Sequence, residues 1–386
     1  MANTLTALAP TLFDALGTVA GEPAGVLDSI DVRTSNLSIN SDNSVTIPVA
    51  PVASTATYTP AMTTTAASDQ TASSITITYT ANLESGFNLT GEDIRSLENG
   101  GDNMREWVRQ NTEQSMRALR NAAAAAASLA IKQGGSRAYG TAGTTPFASD
   151  LTPLTNARKI LRDNGAPMTD LQCVVDSSSY LNLINLGVVQ QSYMAGSDAE
   201  RRSGAVGKQF GFSIREDGNI ASHTKGTGTG YDIVGAGEAV GQTVLSLEGG
   251  SSGTILAGDI VTFSGGTTDA NKYCVVSGGT ATGAASGTIT IGNPGLKIVK
   301  VDADEMTIGN SYSPNFAFER NAVVGFMRAP YIPENSNIKT IPITDPKTGL
   351  SFTMCEITGD GMIKYRLHLA YGFKVIQSEY VVIILG

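Results

Sequence analysis

Charge is scarce in this 386-residue chain: Lys, Arg, Asp and Glu together make up 16% of it, a low share for a surface that must be kept in water. The balance is acidic, with 26 basic against 35 acidic side chains and a net charge of −9, which argues against a dedicated nucleic-acid binder. Such a supply of charge suits a surface covered largely by copies of itself. Cysteine is limited to Cys173, Cys274 and Cys355, an odd number without a close pair. Neither a disulfide framework nor a zinc-ligand spacing is present, so a reducing compartment is the simpler expectation. The only histidines, His223 and His368, have no Ser, Cys or His partner at a recognisable spacing, and both read as structural. No Lys or Arg precedes Arg33, which speaks against a secretory or transit peptide, and the longest apolar runs, 122–131 and 380–385, are too short to span a bilayer. The expectation is a soluble protein made in the cytoplasm, without cofactor or metal, and not an enzyme.

What is present begins with the stretch NMREWVRQNTEQSMRALRNAAAAAASLAIKQ, Asn103 to Gln133, which reads as one uninterrupted helix stopped by Gly134. Asn103 with Glu106 three places on has the spacing of a capping box. Met104, Trp107, Val108, Leu119, Ala122, Ala126, Leu129 and Ala130 mostly follow the helical repeat and predict one core-facing stripe. Arg109, Glu113 and Arg117 stand four apart and predict a charged ladder. Six consecutive alanines suggest a half of the helix where other backbone packs closely. At about 1.5 Å per residue the rod is roughly 45 Å long.

Before it, Leu5, Leu8, Leu12, Leu16 and Val19 predict an amphipathic helix over 4–20, either folded back on its own domain or reaching a neighbour as an arm. From about Leu37 to Asn88 the alternation of Val45, Ile47, Val49 and later Ile75, Ile77, Tyr79 predicts a long β-hairpin with a Thr-, Ala-, Ser- and Pro-rich tip. It has no Lys or Arg and too few apolar residues to fold alone, so it reads as an arm lying on another subunit. Thr90 with Asp93 caps a brief helix, Pro153 opens another with Leu154, Ala157, Ile160 and Leu161 inward that ends at Asn164 and Gly165, and Asp176 caps a third carrying Tyr180, Leu181, Ile184 and Leu186. Near His223 the composition shifts, and the next ninety or so residues are about one-fifth glycine. Strands are expected at 231–234, 243–247, 259–263, 272–276, 288–291 and 296–301, which makes an inserted β-barrel or sandwich. Strands return at 316–328, 338–343, 350–357, 365–369 and 373–385, the last ending in a buried YVVIIL.

Motifs that imitate chemistry are weak. Gly235, Gly237 and Gly241 follow a strand as a dinucleotide fingerprint would, but no helix follows to hold a pyrophosphate, so they read as turns. GTGTG at Gly226–Gly230 reads as a linker, and the residues around Lys208 lack P-loop spacing. Asp302, Asp304 and Glu305 read as a solvated turn rather than a calcium loop. Arg105, Arg109, Arg117, Arg120, Lys132 and Arg137 form the one cationic concentration, with a helix ladder preferred over a phosphate track.

The order of parts, together with RRSGAVGKQFGFSI (201–214), NFAFERNAVVGFMRAP (315–330) and YGFKVIQSEYVVIIL (371–385), resembles the major capsid protein of tailed bacteriophages, the Hong-Kong-97-type α+β fold. LAGDIVTF (256–263) is similar to the inserted β-domain of the P-twenty-two type. The resemblance implies an N-terminal arm at 1–36, an E-loop hairpin at 37–88, a peripheral domain with spine helix at 89–135 and a first axial part at 136–222. It further implies an inserted β-domain at 223–312 and a return to the axial domain and closing strands at 313–386. It implies an icosahedral shell of hexamers and pentamers in the virion, enclosing double-stranded DNA without sequence specificity, with a portal protein as a further partner. The hairpin has no lysine, so covalent cross-linking between subunits is not expected; the short arm implies a separate scaffolding protein, with the Leu5–Val19 helix as its contact. An encapsulin-like compartment shell is the alternative, with a β-rich surface or tail protein behind it.

Overall fold

The computed structural model describes residues 9–20, 22–34, 44–49, 73–79, 81–98, 103–190, 206–235, 237–250, 253–265, 269–279, 287–328, 338–345 and 348–386. The first elements are α1 (Ala9–Ala20), α2 (Gly25–Ser29), β1 (Asp31–Thr34), β2 (Ser44–Val49), β3 (Ser73–Thr78), β4 (Ala81–Thr90), α3 (Gly91–Glu98) and α4 (Asn103–Gln133). α4 has the predicted bounds. Its buried line runs Val108, Thr112, Met116, Leu119, Ala123, Ala127, Ile131, steps of three or four residues that keep one face on the core. Alanine on that line lets β19 (Met362–Val375) and β4 lie close, and the Tyr371 hydroxyl donates to the carbonyl of Ala122 at 3.4 Å. Leu129, expected inward, is 46% exposed. From Ala122 to Ile131 nearly every residue is apolar, so the periodicity that identifies a face upstream is lost there. The Glu106 carboxylate does not turn back to the helix start; it accepts from Arg109 and Gln110.

α1 lies along α4 with Leu12, Ala15, Leu16 and Val19 buried, while Leu5 and Leu8 fall outside the described residues. Of the two placements open to this helix, the chain's own core takes its stripe. Burying the stripe is worth about 1.5–3 kcal/mol for each large side chain.

β19 organises a six-stranded sheet. It pairs with β16 (Val323–Arg328), β18 (Ser351–Gly359) and β4, while β1 extends the sheet beside β16 and β17 (Ile338–Thr344) beside β18. β18 and β19 meet at Asp360–Gly361, both left-handed at φ 52° and 75°, the conformation of a two-residue hairpin turn. α3 starts with the expected reciprocal cap: Asp93 accepts from the Thr90 amide at 3.0 Å, and the Asp93 amide donates to Thr90 Oγ1 at 3.3 Å. β2 and β3 pair with each other as a separate two-stranded sheet, Ser44 opposite Thr78. Ile77 packs with Val324 and Phe326 of β16, so the base of the hairpin rests on the sheet. Residues 50–72, the expected tip, lie outside the described residues.

The second sheet has twelve strands and two parts. Its first part comprises β5 (Arg137–Tyr139), β6 (Leu171–Val175), β7 (Lys208–Gln209), β8 (Phe212–Glu216), β15 (Pro314–Glu319) and β20 (Val381–Leu385), in the order β5-β20-β15-β6-β8-β7. Helices α5 (Thr152–Asp163), α6 (Ser177–Asn185) and α7 (Gly187–Gln190) accompany it, and a cluster around Leu154, Leu161, Val175, Leu183, Phe212 and Ile384 fills the space between. The caps are those expected: Pro153 near the start of α5, Asn164 and Gly165 at its end, and Asp176 accepting from the Ser179 amide at 3.0 Å. Leu181 is 60% exposed, because the core side of the nine-residue α6 is taken by Ser179 and Leu183.

The second part is a closed barrel of six antiparallel strands, β9 (Tyr231–Ile233), β10 (Val244–Gly249), β11 (Ile260–Ser264), β12 (Lys272–Ser277), β13 (Gly287–Ile291) and β14 (Glu305–Ile308). Pairing of β11 with β12 closes it. Five strands match the expected ones. The sixth does not: 296–301 is not a strand, and β14 completes the wall. Leu296 and Lys300 are buried in that connection, which explains why it alternates like a strand without pairing as one. The barrel continues into the main sheet, because β5 pairs with β12 on one side and β20 on the other. Between β15 and β16 the chain passes from one sheet to the other through a turn at Arg320–Ala322, where the buried Glu319 accepts from the Asn321 amide at 2.9 Å. The segment expected as one strand over 373–385 is divided by a turn at Ser378–Tyr380.

Candidate functional site

No group of His, Cys, Asp and Glu among the described residues is placed to hold a metal, and none of their helices is long and apolar enough to cross a membrane. Gly235, Gly237 and Gly241 are turn residues with positive φ, and the next element is the strand β10, so no helix N-terminus faces them. Asp302 accepts from the Gly235 amide at 2.7 Å. Asp304, read as part of a solvated turn, is buried and accepts from the Val301 amide at 3.0 Å, which corrects that reading. The Gly226–Gly230 stretch is packed rather than loose: the Gly226 amide donates to Asp259, and a Cβ on Gly228 would stand 2.4 Å from Tyr231. His368 lies in β19 opposite Thr353 and Glu84. All three cysteines are free and buried, and burial pushes the Cys173 and Cys274 thiols up to about 12.

The arginines of α4 are engaged by partners within the chain. Arg109 bridges Glu106 and Glu113, and Glu106 is drawn down to about 2 by the Arg109 hydrogen bonds and by Gln110. Arg117 does not continue the ladder. It reaches Glu22, in the link between α1 and α2, with its Nε 2.8 Å from Oε1. The buried Arg120 donates to the Val19 carbonyl at 2.6 Å and to the Glu22 carbonyl, closing the C-terminal end of α1 with a positive charge. Arg105 donates to Thr11 Oγ1 at 3.1 Å. Arg120→Ala is therefore expected to lower stability by about 2 kcal/mol, by removing a charged donor from two carbonyls. Urea unfolding with α1 amide exchange would show it, and an unchanged midpoint would count against the clamp.

The Arg117 hydrogen bond holds Glu22 below its ordinary 4.5. A depressed carboxyl contributes stability that is present above its unfolded value and lost as pH falls through the folded one. Acidification below about pH 4.5 should therefore increase exchange at α1 before α5, and Glu22→Gln should remove that pH dependence.

The root of the barrel is the second concentration of polar contacts. His223 and Tyr312 pair backbone to backbone where the chain enters and leaves the insertion. His223 Nε2 is 2.8 Å from Asp259 Oδ1, and Asp259 also accepts from the amides of Gly226 (3.0 Å) and Leu256 (2.7 Å). The Tyr312 hydroxyl donates to the Gly258 carbonyl at 2.7 Å. On the other side, Arg137 donates to Asn271 of the barrel and to Asn164 at the end of α5, and Asn164 donates to the Glu379 carbonyl at 2.8 Å. Sequence reading marked His223 and Arg137, and Asn164 only as a helix end, but not Asp259 or Asn271, whose partners His223 and Arg137 lie tens of residues away. These groups fix the orientation of the barrel on the sheet.

A shallow, largely apolar groove of about 300 Å³ runs beside the alanine half of α4, lined by Ala125, Ala126, Ser128, Leu129, Lys132 and Ala221. Leu129→Glu should leave stability within about 0.5 kcal/mol, as for an exposed position away from packing, with thermal melting as the check.

The chain thus joins a long helix across one sheet, a separate hairpin and a second sheet carrying a barrel. The capsid structure of the cyanophage P-SCSP1u superposes on this arrangement with a TM-score of 0.51 at 15% identity, over 93% of this chain and 86% of that one. The chain has a capsid fold. The capsid of Ralstonia phage GP4 gives a TM-score of 0.48 at 8% identity over 94% and 87% of the two chains. A virus-like particle from Pyrococcus furiosus gives 0.43 at 9% identity over 98% of each. No family model and no curated protein matches the sequence. In this capsid fold the described polar clusters are braces between elements.

Proposed function

We propose that this chain is the major capsid protein of a tailed phage, of the Hong-Kong-97 type, forming the icosahedral shell around double-stranded DNA. The observation that carries this reading is the fold shared with the cyanophage capsid over 93% of the chain. In it, 37–88 is the E-loop and 1–36 the N-terminal arm; 89–135 is the peripheral domain with α4 as spine, and 136–222 with 313–386 forms the axial domain and closing strands. The barrel within 223–312 is the insertion. Two features support an assembling subunit. Among the described residues, β2 and β3 pair only with each other, leaving strand edges that another subunit can cover. The spine's arginines are engaged inside the chain, so the shell wall would hold DNA by enclosure rather than by phosphate contacts.

Partners in this reading are further copies in hexamers and pentamers, a separate scaffolding protein and a portal protein, with the virion as the location after synthesis in the host cytoplasm. Contacts between subunits are non-covalent, each modest and added up by multivalency. The test is to express the chain alone and together with the scaffolding protein encoded beside it, and to image the sedimenting fraction by electron microscopy. Closed shells of uniform diameter in the co-expression are the expected result. Monodisperse monomers or dimers in both preparations would refute the capsid reading.

A further inference from the structure

The barrel's core cluster is mostly apolar, and among its described residues one ion pair is wholly buried. Lys300 and Asp269 both have side chains at 0% exposure, with Nζ 3.1 Å from Asp269 Oδ2 and 5.3 Å from the centre of the Phe263 ring. The Lys300 amine makes no well-aligned hydrogen bond among the described residues, so two of its three protons have no acceptor. A buried charge with so few partners is a costly arrangement unless it reacts or neutralises. The carboxyl opposite it is arranged asymmetrically. Oδ1 accepts two hydrogen bonds, from the Asn271 amide at 2.9 Å and Asn271 Nδ2 at 2.7 Å. Oδ2 accepts from the Tyr273 hydroxyl at 2.9 Å. The Asn271 side chain is oriented for this by Arg137, which donates to its Oδ1 at 3.1 Å. Lys300 is fixed in turn by its backbone, paired with Glu238 through both its amide and its carbonyl.

We propose that Lys300 and Asp269 condense into an intramolecular amide, a covalent staple across the barrel. Nζ attacks Cγ, the Nζ–Cγ bond forms, and negative charge develops on Oδ1, where the two Asn271 donors already stand. The Cγ–Oδ2 bond breaks. Two of the three ammonium protons are transferred to Oδ2, which leaves as water, and the amide keeps the third; the charges of the pair cancel and no further reactant is needed. Tyr273 is the proton donor on the departing oxygen, passing its own proton on and recovering one from the amine. Exclusion of water favours the step, because inside the barrel the neutral amine and acid are less disfavoured against the ion pair than in solvent. Burial alone would raise the Asp269 carboxyl; the Asn271 and Tyr273 hydrogen bonds and the facing Lys300 ammonium outweigh it and leave it below its ordinary value, and the Asn271 donors serve the developing oxyanion equally. The staple lies within one chain and leaves contacts between subunits non-covalent.

The test is the intact mass of the purified full chain under denaturing conditions, followed by peptide mapping. The expected mass is the sequence mass less one water, with a branched peptide joining the segments that contain Asp269 and Lys300. Asp269→Asn should lose one ammonia instead, Lys300→Met should show its full mass, and Tyr273→Phe should form the bond at least tenfold more slowly during refolding. A folded wild-type chain that keeps its full mass overturns the proposal, as does a water loss that maps elsewhere, such as to a succinimide at Asp360–Gly361.

Discussion

Asp259→Ala is expected to destabilise the protein by about 3–5 kcal/mol, the cost of breaking a buried charged hydrogen-bond cluster by removing its acceptor. The carboxylate is wholly buried and receives His223, the Gly226 amide and the Leu256 amide. Alanine leaves all three donors without an acceptor and opens a gap between the start of the insertion and β11. Asp259→Asn, which keeps one acceptor oxygen, should recover part of the loss. Chemical denaturation with amide exchange resolved to β11 and to the Gly226–Gly230 stretch would read the effect. A loss under about 1 kcal/mol would mean that the cluster is not what holds the insertion at its root.

Gly292→Ala is expected to cost about 3 kcal/mol, the upper part of the range for overpacking, because the obstruction is backbone rather than a movable side chain. A Cβ there would stand 2.3 Å from the Gly135 carbonyl oxygen and 2.8 Å from Ser136 Cα. That segment cannot retreat freely: Ser136 donates its amide to Val381 at 2.9 Å and its carbonyl accepts from Cys274 at 3.1 Å. The substitution should therefore open the seam between barrel and sheet, giving earlier proteolysis at 134–140 and a lower melting temperature. A variant whose melting temperature and cleavage pattern match those of the wild type would show that the seam carries no such constraint.

Local signals carried much of the architecture into view before any coordinates. α4, the caps at Thr90, Asn164 and Asp176, the two strands of the hairpin and five of the six barrel strands depend on neighbours within a few residues, and each was legible. Failures occurred where tertiary contact decides. Leu129 is exposed although its spacing suits a core, because a run of apolar and small residues leaves the facing direction undefined. Residues 296–301 alternate because Leu296 and Lys300 are buried in a connection, and alternation does not distinguish that from pairing. Arg117 has a correctly spaced acid at Glu113 and yet binds Glu22, in a segment brought beside it by α1. The Asp360–Gly361 turn was readable as a hairpin signal and was not used. The bracing contacts of Asp259, Asn164 and Asn271 with distant elements had no local signal, since those partners are brought near by the fold.

β20 lies between β5 and β15, and the bond from Ser136 to Val381 joins residues 245 apart in sequence. On a ribosome, the middle of this sheet stays unfilled until those late residues emerge, and β4 waits in the same way for β19. The barrel has no such delay, because its six strands follow one another between 231 and 308. Emerging as one stretch whose barrel pairings all lie between 231 and 308, it can form while the rest of the chain is still being made. β12 then offers β5 a ready template, and β5 in turn offers one to β20. The insertion is thereby placed to act as the starting block of folding, and damage to it would be felt first as aggregation during synthesis.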